Sequence, residues 1–203
     1  LEFQLDQWPI LPGYVDSLAD FPHSGFINDV DIAINEANLR SQHGLFDLLE
    51  ATVGFHVLEF LIWGEQAGSP RQAQLFQAAT QLSNDQRDAG YQIDQLPTNR
   101  RRDYLNLASE LLLRDHQALS QIWVEHSAQI RPLLDQASAT SALYLLLQAS
   151  GKTLEVDLLD KSLYPILNGD FSEAQPAPFS GISEQAAIAT LSGIEDLLLN
   201  TRS

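Results

Sequence analysis

Residues 52–64, TVGFHVLEFLIWG, are apolar on almost every side of the helix they predict, and only His56 and Glu59 interrupt the run. A helix that is apolar all round belongs inside a core, so the rest of the chain must supply elements that surround it. Ile32, Asn35 and Leu39, then Leu45, Leu48, Leu49 and Val53, follow the three-and-four spacing of amphipathic helices, with Gly44 as a break. Residues 72–88 predict a polar helix with a weak stripe of Leu75, Phe76, Ala79 and Leu82. After a turn around Gly90 and Pro97, a long helix is expected from Arg101 to about His126, carrying Tyr104, Leu105, Ala108, Leu111, Leu112, Asp115, Leu119, Ile122 and Trp123 on one continuous stripe. Further helices are expected over 131–150, stopped by Gly151, over 153–167, stopped by Asn168-Gly169, and over 183–199, with Ser183 as N-cap and Glu184 in the first turn. Residues 1–26, with Pro9, Pro12 and Pro22, read as an irregular lead-in holding one short helix around 14–19, and Pro176 and Pro178 place a loop over 171–181. No stretch alternates convincingly, so the expected class is all-α, a helical bundle.

Charge narrows the partners. Twenty-seven acidic against eleven basic residues give a formal charge of −16, which disfavours nucleic acid and anionic membranes and suits attraction of cations, though solubility alone explains such a surplus. The absence of cysteine excludes disulfides, thiolate metal sites and cysteine catalysis. Apolar runs such as VLEFLIW and ALYLLL fall far short of the roughly 20 residues a bilayer requires, so no integral membrane protein is expected. A start without Met or a basic leader suggests a processed, trimmed or partial chain, so that any signal peptide or lipid anchor would lie before it.

His56 and Glu59 are three apart, which on a helix puts their Cβ atoms about 5–6 Å from each other on one face. An imidazole and a carboxylate together suit zinc or iron, and bundles build such sites from inward-facing residues. Burying a carboxylate in so apolar a helix is costly unless it is paired or metal-bound. The same pattern is equally met by a satisfied buried pair, and two ligands do not complete a zinc site. The H-E-x-x-H arrangement of common metallopeptidases is absent. His23, His43, His116 and His126 have no comparable partner and are expected to face solvent, Arg100 to Arg102 to form a solvated helix start, and Trp63 and Trp123 to anchor the core. Ser180 lacks a His and Asp relay and is not expected to be a nucleophile.

The segment GFHVLEFLIWG resembles the signature of the imelysin family, G-x-H-x-x-E followed by an apolar run ending in Trp-Gly, with Gly54, His56, Glu59, Trp63 and Gly64 in place. RRDYLNLASELLLRDH is similar to the family's arginine-tyrosine-leucine helix through Arg101, Tyr104, Leu105, Leu112 and Asp115, and Pro178-Phe179-Ser180 resembles its late Phe-Ser loop. The family's usual Asp after that loop is Gly181 here, and its Gly-Glu-Arg run has only GKTLEVDLLDKSL nearby. The resemblance implies one imelysin-like domain over 1–203, its first half to about 130 carrying the signature and its second over about 131–203. It further implies two packed, pseudo-repeated four-helix-type bundles, without the family's first helices. It implies a bacterial protein, periplasmic or lipid-anchored at the outer surface, that binds a metal ion, iron or zinc, or an iron-containing ligand within an iron-uptake system. His56 and Glu59 would then be metal ligands, with Arg101 and Ser180 in the surrounding pocket. A metallopeptidase using the same pair and a non-catalytic helical interaction domain are the alternatives.

Overall fold

The computed structural model describes residues 2–66, 68–169 and 177–199, and every regular element among them is helical, in agreement with the all-α expectation. In chain order the α-helices are α1 (Glu2–Leu5), α2 (Pro12–Val15), α3 (Glu36–Gln42), α4 (Phe55–Trp63), α5 (Asn84–Asp88), α6 (Pro97–Gln136), α7 (Ala139–Thr153), α8 (Tyr164–Asn168) and α9 (Ser183–Leu199). A π-helical stretch, Leu154–Leu163, joins α7 to α8. The chain divides into two compact units, Leu1–Ala118 and Leu119–Ser203.

The first unit wraps α4 as its apolar sequence requires. Val57, Phe60 and Leu61 of α4 are fully buried, beside Val15 of α2, Leu39 of α3, and Tyr104, Ala108 and Leu111 of α6. The expected stripe on α6 is therefore buried or half-buried as far as Asp115 but not at Leu119, Ile122 or Trp123, and Tyr104 anchors it by donating its hydroxyl to the Thr52 carbonyl at 2.8 Å. Asp115, one turn further on, accepts from the two terminal guanidinium nitrogens of Arg40, at 2.9 and 3.2 Å.

Several boundaries differ from expectation, each for a local reason. Pro97 opens α6 rather than making a turn, since a proline at the first helical position gives up only a donor that would have no partner there. Nothing between 126 and 131 breaks the helix, and α6 runs on to Gln136, where Ser138 caps α7 by accepting from the Ser141 amide at 3.1 Å. Gly151 does not stop α7, whereas Gly169, with φ +85, follows the end of α8 as expected. The helix expected over 72–88 reduces to a 3₁₀ turn, Ala73–Phe76, and the capped α5. Asn99 takes the place of helical partners there, bonding both the amide and the carbonyl of Ala79. Over 29–53 only α3 forms, because Asp47 and Glu50 accept from the Leu49 and Phe46 amides and hold that loop. The lead-in holds α1 as well as α2, which ends at Val15 rather than Ala19.

In the second unit α9 lies against the π-helical stretch and occupies the expected residues, with Glu184 in its first turn. Trp123 is 70% exposed and so is not the core anchor expected of it. The loop expected over 171–181 is described from Ala177 onward, and its earlier residues lie outside the described ones.

Candidate functional site

The start of α4 is set by Gly54. Its φ of +106 is one that residues with a side chain rarely adopt, and a Cβ there would stand 2.9 Å from the Leu5 carbonyl oxygen and 3.1 Å from that of Gln4. The glycine thus seats the end of α1 directly on the first turn of α4 and brings Asp6 to His56. The imidazole is held on both sides: Nε2 lies 3.2 Å from Asp6 Oδ1 and Nδ1 lies 3.3 Å from Glu59 Oε2. Trp8 packs against the ring, centroid to centroid 4.8 Å. His56 and Glu59 are nearly covered, with side chains 7% and 12% exposed, while Asp6 is 63% exposed and forms the solvent edge.

Burial pushes His56 toward its neutral form, but the hydrogen bonds and charges of Asp6 and Glu59 outweigh it and hold the pKa above the ordinary value. The charged ring therefore stabilises the folded chain. That contribution is complete below about pH 6.5, where the unfolded chain is also protonated, and is lost as pH rises through the raised folded value. The stability difference between the parent and His56→Gln should accordingly be larger at pH 6 than at pH 9 in urea denaturation. Equal differences at the two pH values would show that the ring is not held as an imidazolium.

Asp6 and Glu59 address opposite nitrogens of one ring, and among the described residues no three His, Asp or Glu side chains form a group able to hold a metal ion. The family model Peptidase_M75, Imelysin, matches residues 1–202. The chain belongs to the imelysin family. No curated protein matches it.

Both outer glycines of the imelysin signature now have structural reasons. Gly54 admits α1, and Gly64, with φ +71, admits Arg71, whose Nε would lie 2.8 Å from any Cβ at that position. Arg71 donates through Nη1 to Asp16 and lies over the Phe60 ring, its guanidinium carbon 5.1 Å from the centroid. Arg101 meets the same carboxylate, Nε to Oδ2 at 2.7 Å and Nη2 to Oδ1 at 3.0 Å, and donates to the Leu75 carbonyl at 3.2 Å.

In this imelysin, then, His56 and Glu59 come together as the signature suggests, and Arg101 joins a buried cluster with Asp16 and Arg71. Ser180 is half-buried in the turn before α9, within the second unit. Arg100 is no solvated residue. It is 4% exposed and donates to the carbonyls of Phe26, Ile27, Asp29 and Ile32. His43 is half-buried, accepting from the Thr52 amide at 3.1 Å, rather than solvent-facing. Asp6, Asp16 and Arg71 carry no spacing relation to the signature that would have marked them. Among the described residues no helix is long and apolar enough to cross a membrane.

Proposed function

We infer that this imelysin is a metal-binding protein of an iron-uptake system, acting in the periplasm or at the outer surface of a bacterium, and that its cargo is taken at His56. The observation that carries this reading is the imidazole held between Glu59 and Asp6 in the G-x-H-x-x-E segment. On this reading the two residues of the signature pair have different roles. Glu59, nearly covered, accepts from Nδ1–H and thereby fixes the ring and its tautomer, the arrangement by which carboxylates commonly support a ligating histidine. Nε2 then faces the open side together with Asp6. Two ligand atoms sharing one tetrahedral ion at bond lengths of about 2.0–2.2 Å stand roughly 3.3 Å apart, close to the 3.2 Å between Nε2 and Asp6 Oδ1.

Such an edge supplies two protein atoms and an open side, which suits an exchangeable cation better than a closed structural centre. The formal charge of −16 favours the approach of cations. Proton and metal compete for the same nitrogen, so affinity should rise with pH.

Titration of Fe(II) and Zn(II) into chelator-treated protein tests this. The parent should bind one equivalent, His56→Ala should lose at least a hundredfold in affinity, and Glu59→Gln and Asp6→Asn should each lose ten- to a hundredfold. A folded parent that binds neither ion, or a His56→Ala variant that binds as tightly as the parent, overturns the reading and leaves the pair as a structural link. Chelator-sensitive cleavage of a protein substrate, lost in Glu59→Ala, would replace cargo binding by peptidase chemistry.

A further inference from the structure

A groove of about 460 Å³ opens in the first unit between residues 17–22 on one side and residues 63–66 and 69–75 on the other. Its lining includes Ser17, Trp63, Glu65, Ser69, Arg71 and Gln72. We propose that this groove is a binding site for a small zwitterion, a free amino acid or dipeptide, whose carboxylate is taken by Arg71 and whose ammonium group is taken by Glu65.

Arg71 is held in advance of any ligand. Its side chain is 12% exposed, Nη1 is bonded to the fully buried Asp16, the guanidinium lies over Phe60, and its stem passes where only a glycine at 64 leaves room. Its backbone amide is fixed as well, donating to the Ile62 carbonyl at 2.7 Å. Among the described residues its Nε and Nη2 donate to no protein acceptor, although Arg71 lines the groove. Asp16 is already shared with Arg101 through two hydrogen bonds, so two guanidinium groups face one carboxylate and one positive charge is unmatched within the cluster. A pre-positioned guanidinium with unused donors is suited to a carboxylate, which it can meet through two parallel bonds.

Glu65 supplies the opposite charge on the same lining. One of its oxygens accepts from the Ala19 amide at 2.7 Å, tying the two walls of the groove together. With Glu65 included, the charges of Arg71, Arg101, Asp16 and Glu65 balance. A ligand that carries both charges matches this balance, and having no net charge it escapes the repulsion that a surface of −16 exerts on an anion. The volume lies within the range typical of small-molecule sites, and Ser17, Ser69 and Gln72 offer further hydrogen-bonding groups.

The test is calorimetric titration of the chelator-treated full chain with L-alanyl-L-alanine, its methyl ester and its N-acetyl derivative. Saturable one-site binding of the dipeptide is expected, weakened at least tenfold by either modification. Glu65→Gln, a change at an exposed residue, should abolish the discrimination against the N-acetyl form while keeping that against the ester. His56→Ala should bind the dipeptide as the parent does, which separates this site from the metal reading. No saturable binding at millimolar dipeptide, or an ester that binds as well as the free acid, overturns the proposal.

Discussion

Asp16→Ala should be the most damaging single substitution in the first unit, lowering its stability by about 3–5 kcal/mol, the range for removing one partner from a buried ion pair. Asp16 is fully buried, and its carboxylate accepts from Arg101 twice, from Arg71 and from the Ser17 amide at 2.7 Å. Burial by itself would raise its pKa, but the two guanidinium groups outweigh it and hold the pKa below the ordinary value. The stabilisation is therefore present above about pH 3.9, the unfolded value, and is lost as pH falls through the lowered folded value. Removing the carboxylate at neutral pH leaves two buried cations facing each other with nothing between them. Asp16→Asn retains some acceptor capacity but no charge and should fall between the parent and the alanine variant. Urea denaturation of all three proteins checks the order. A loss below about 1 kcal/mol for Asp16→Ala would mean that water enters the cluster and that the pairing is of the ordinary surface kind.

Arg100→Met should cost nearly as much, about 3–4 kcal/mol, through a different route. Here one guanidinium satisfies four backbone carbonyls: Nε reaches Ile27 at 2.6 Å, and Nη2 reaches Phe26, Asp29 and Ile32 at 2.7–2.8 Å. Methionine matches the stem but supplies no donor, so the buried Phe26 and Ile27 carbonyls lose their guanidinium partner, whereas the Asp29 carbonyl keeps the Ile32 amide, and each buried acceptor left unpaired costs roughly 1–3 kcal/mol with incomplete additivity. Lysine should recover less than half of the loss, because a single ammonium cannot address four oxygens from one plane. Hydrogen exchange of amides in residues 26–32 provides a local readout alongside global stability. Unchanged exchange in Arg100→Met would show that these carbonyls find other donors.

The elements legible in the sequence are those whose periodicity and end signals agree. The stripe Tyr104, Ala108, Leu111, Asp115 identified α6, and α9 begins and ends where its spacing places it. The extent of α6 was obscured because Pro97 can signal either a turn or a first helical position, and only the fold chooses. The helix expected over 72–88 fails because its backbone is claimed from a distance, by Asn99 at Ala79 and by Arg101 at Leu75. The site divides in the same way. His56 and Glu59 are neighbours by helical spacing and could be paired on sight. Asp6 lies fifty positions before His56, and what joins them is the missing side chain of Gly54, which a sequence shows only as a glycine before a helix. Asp16, Arg71 and Arg100 are charged residues in an acidic, polar chain, and nothing local distinguishes a charge that will be buried from one that will be solvated.

The seat of Leu5 on Gly54 also makes the histidine a reporter of whether α1 is docked. Asp6 can stand beside Nε2 only while that helix is docked, so undocking and losing the Asp6–His56 contact are a single event. Anything that binds the docked arrangement alone must, by thermodynamic reciprocity, hold the leading residues down with the same free energy that their docking lends to binding. A protease attacking the leading residues would then act as a gauge of site occupancy, cutting more slowly as the site fills.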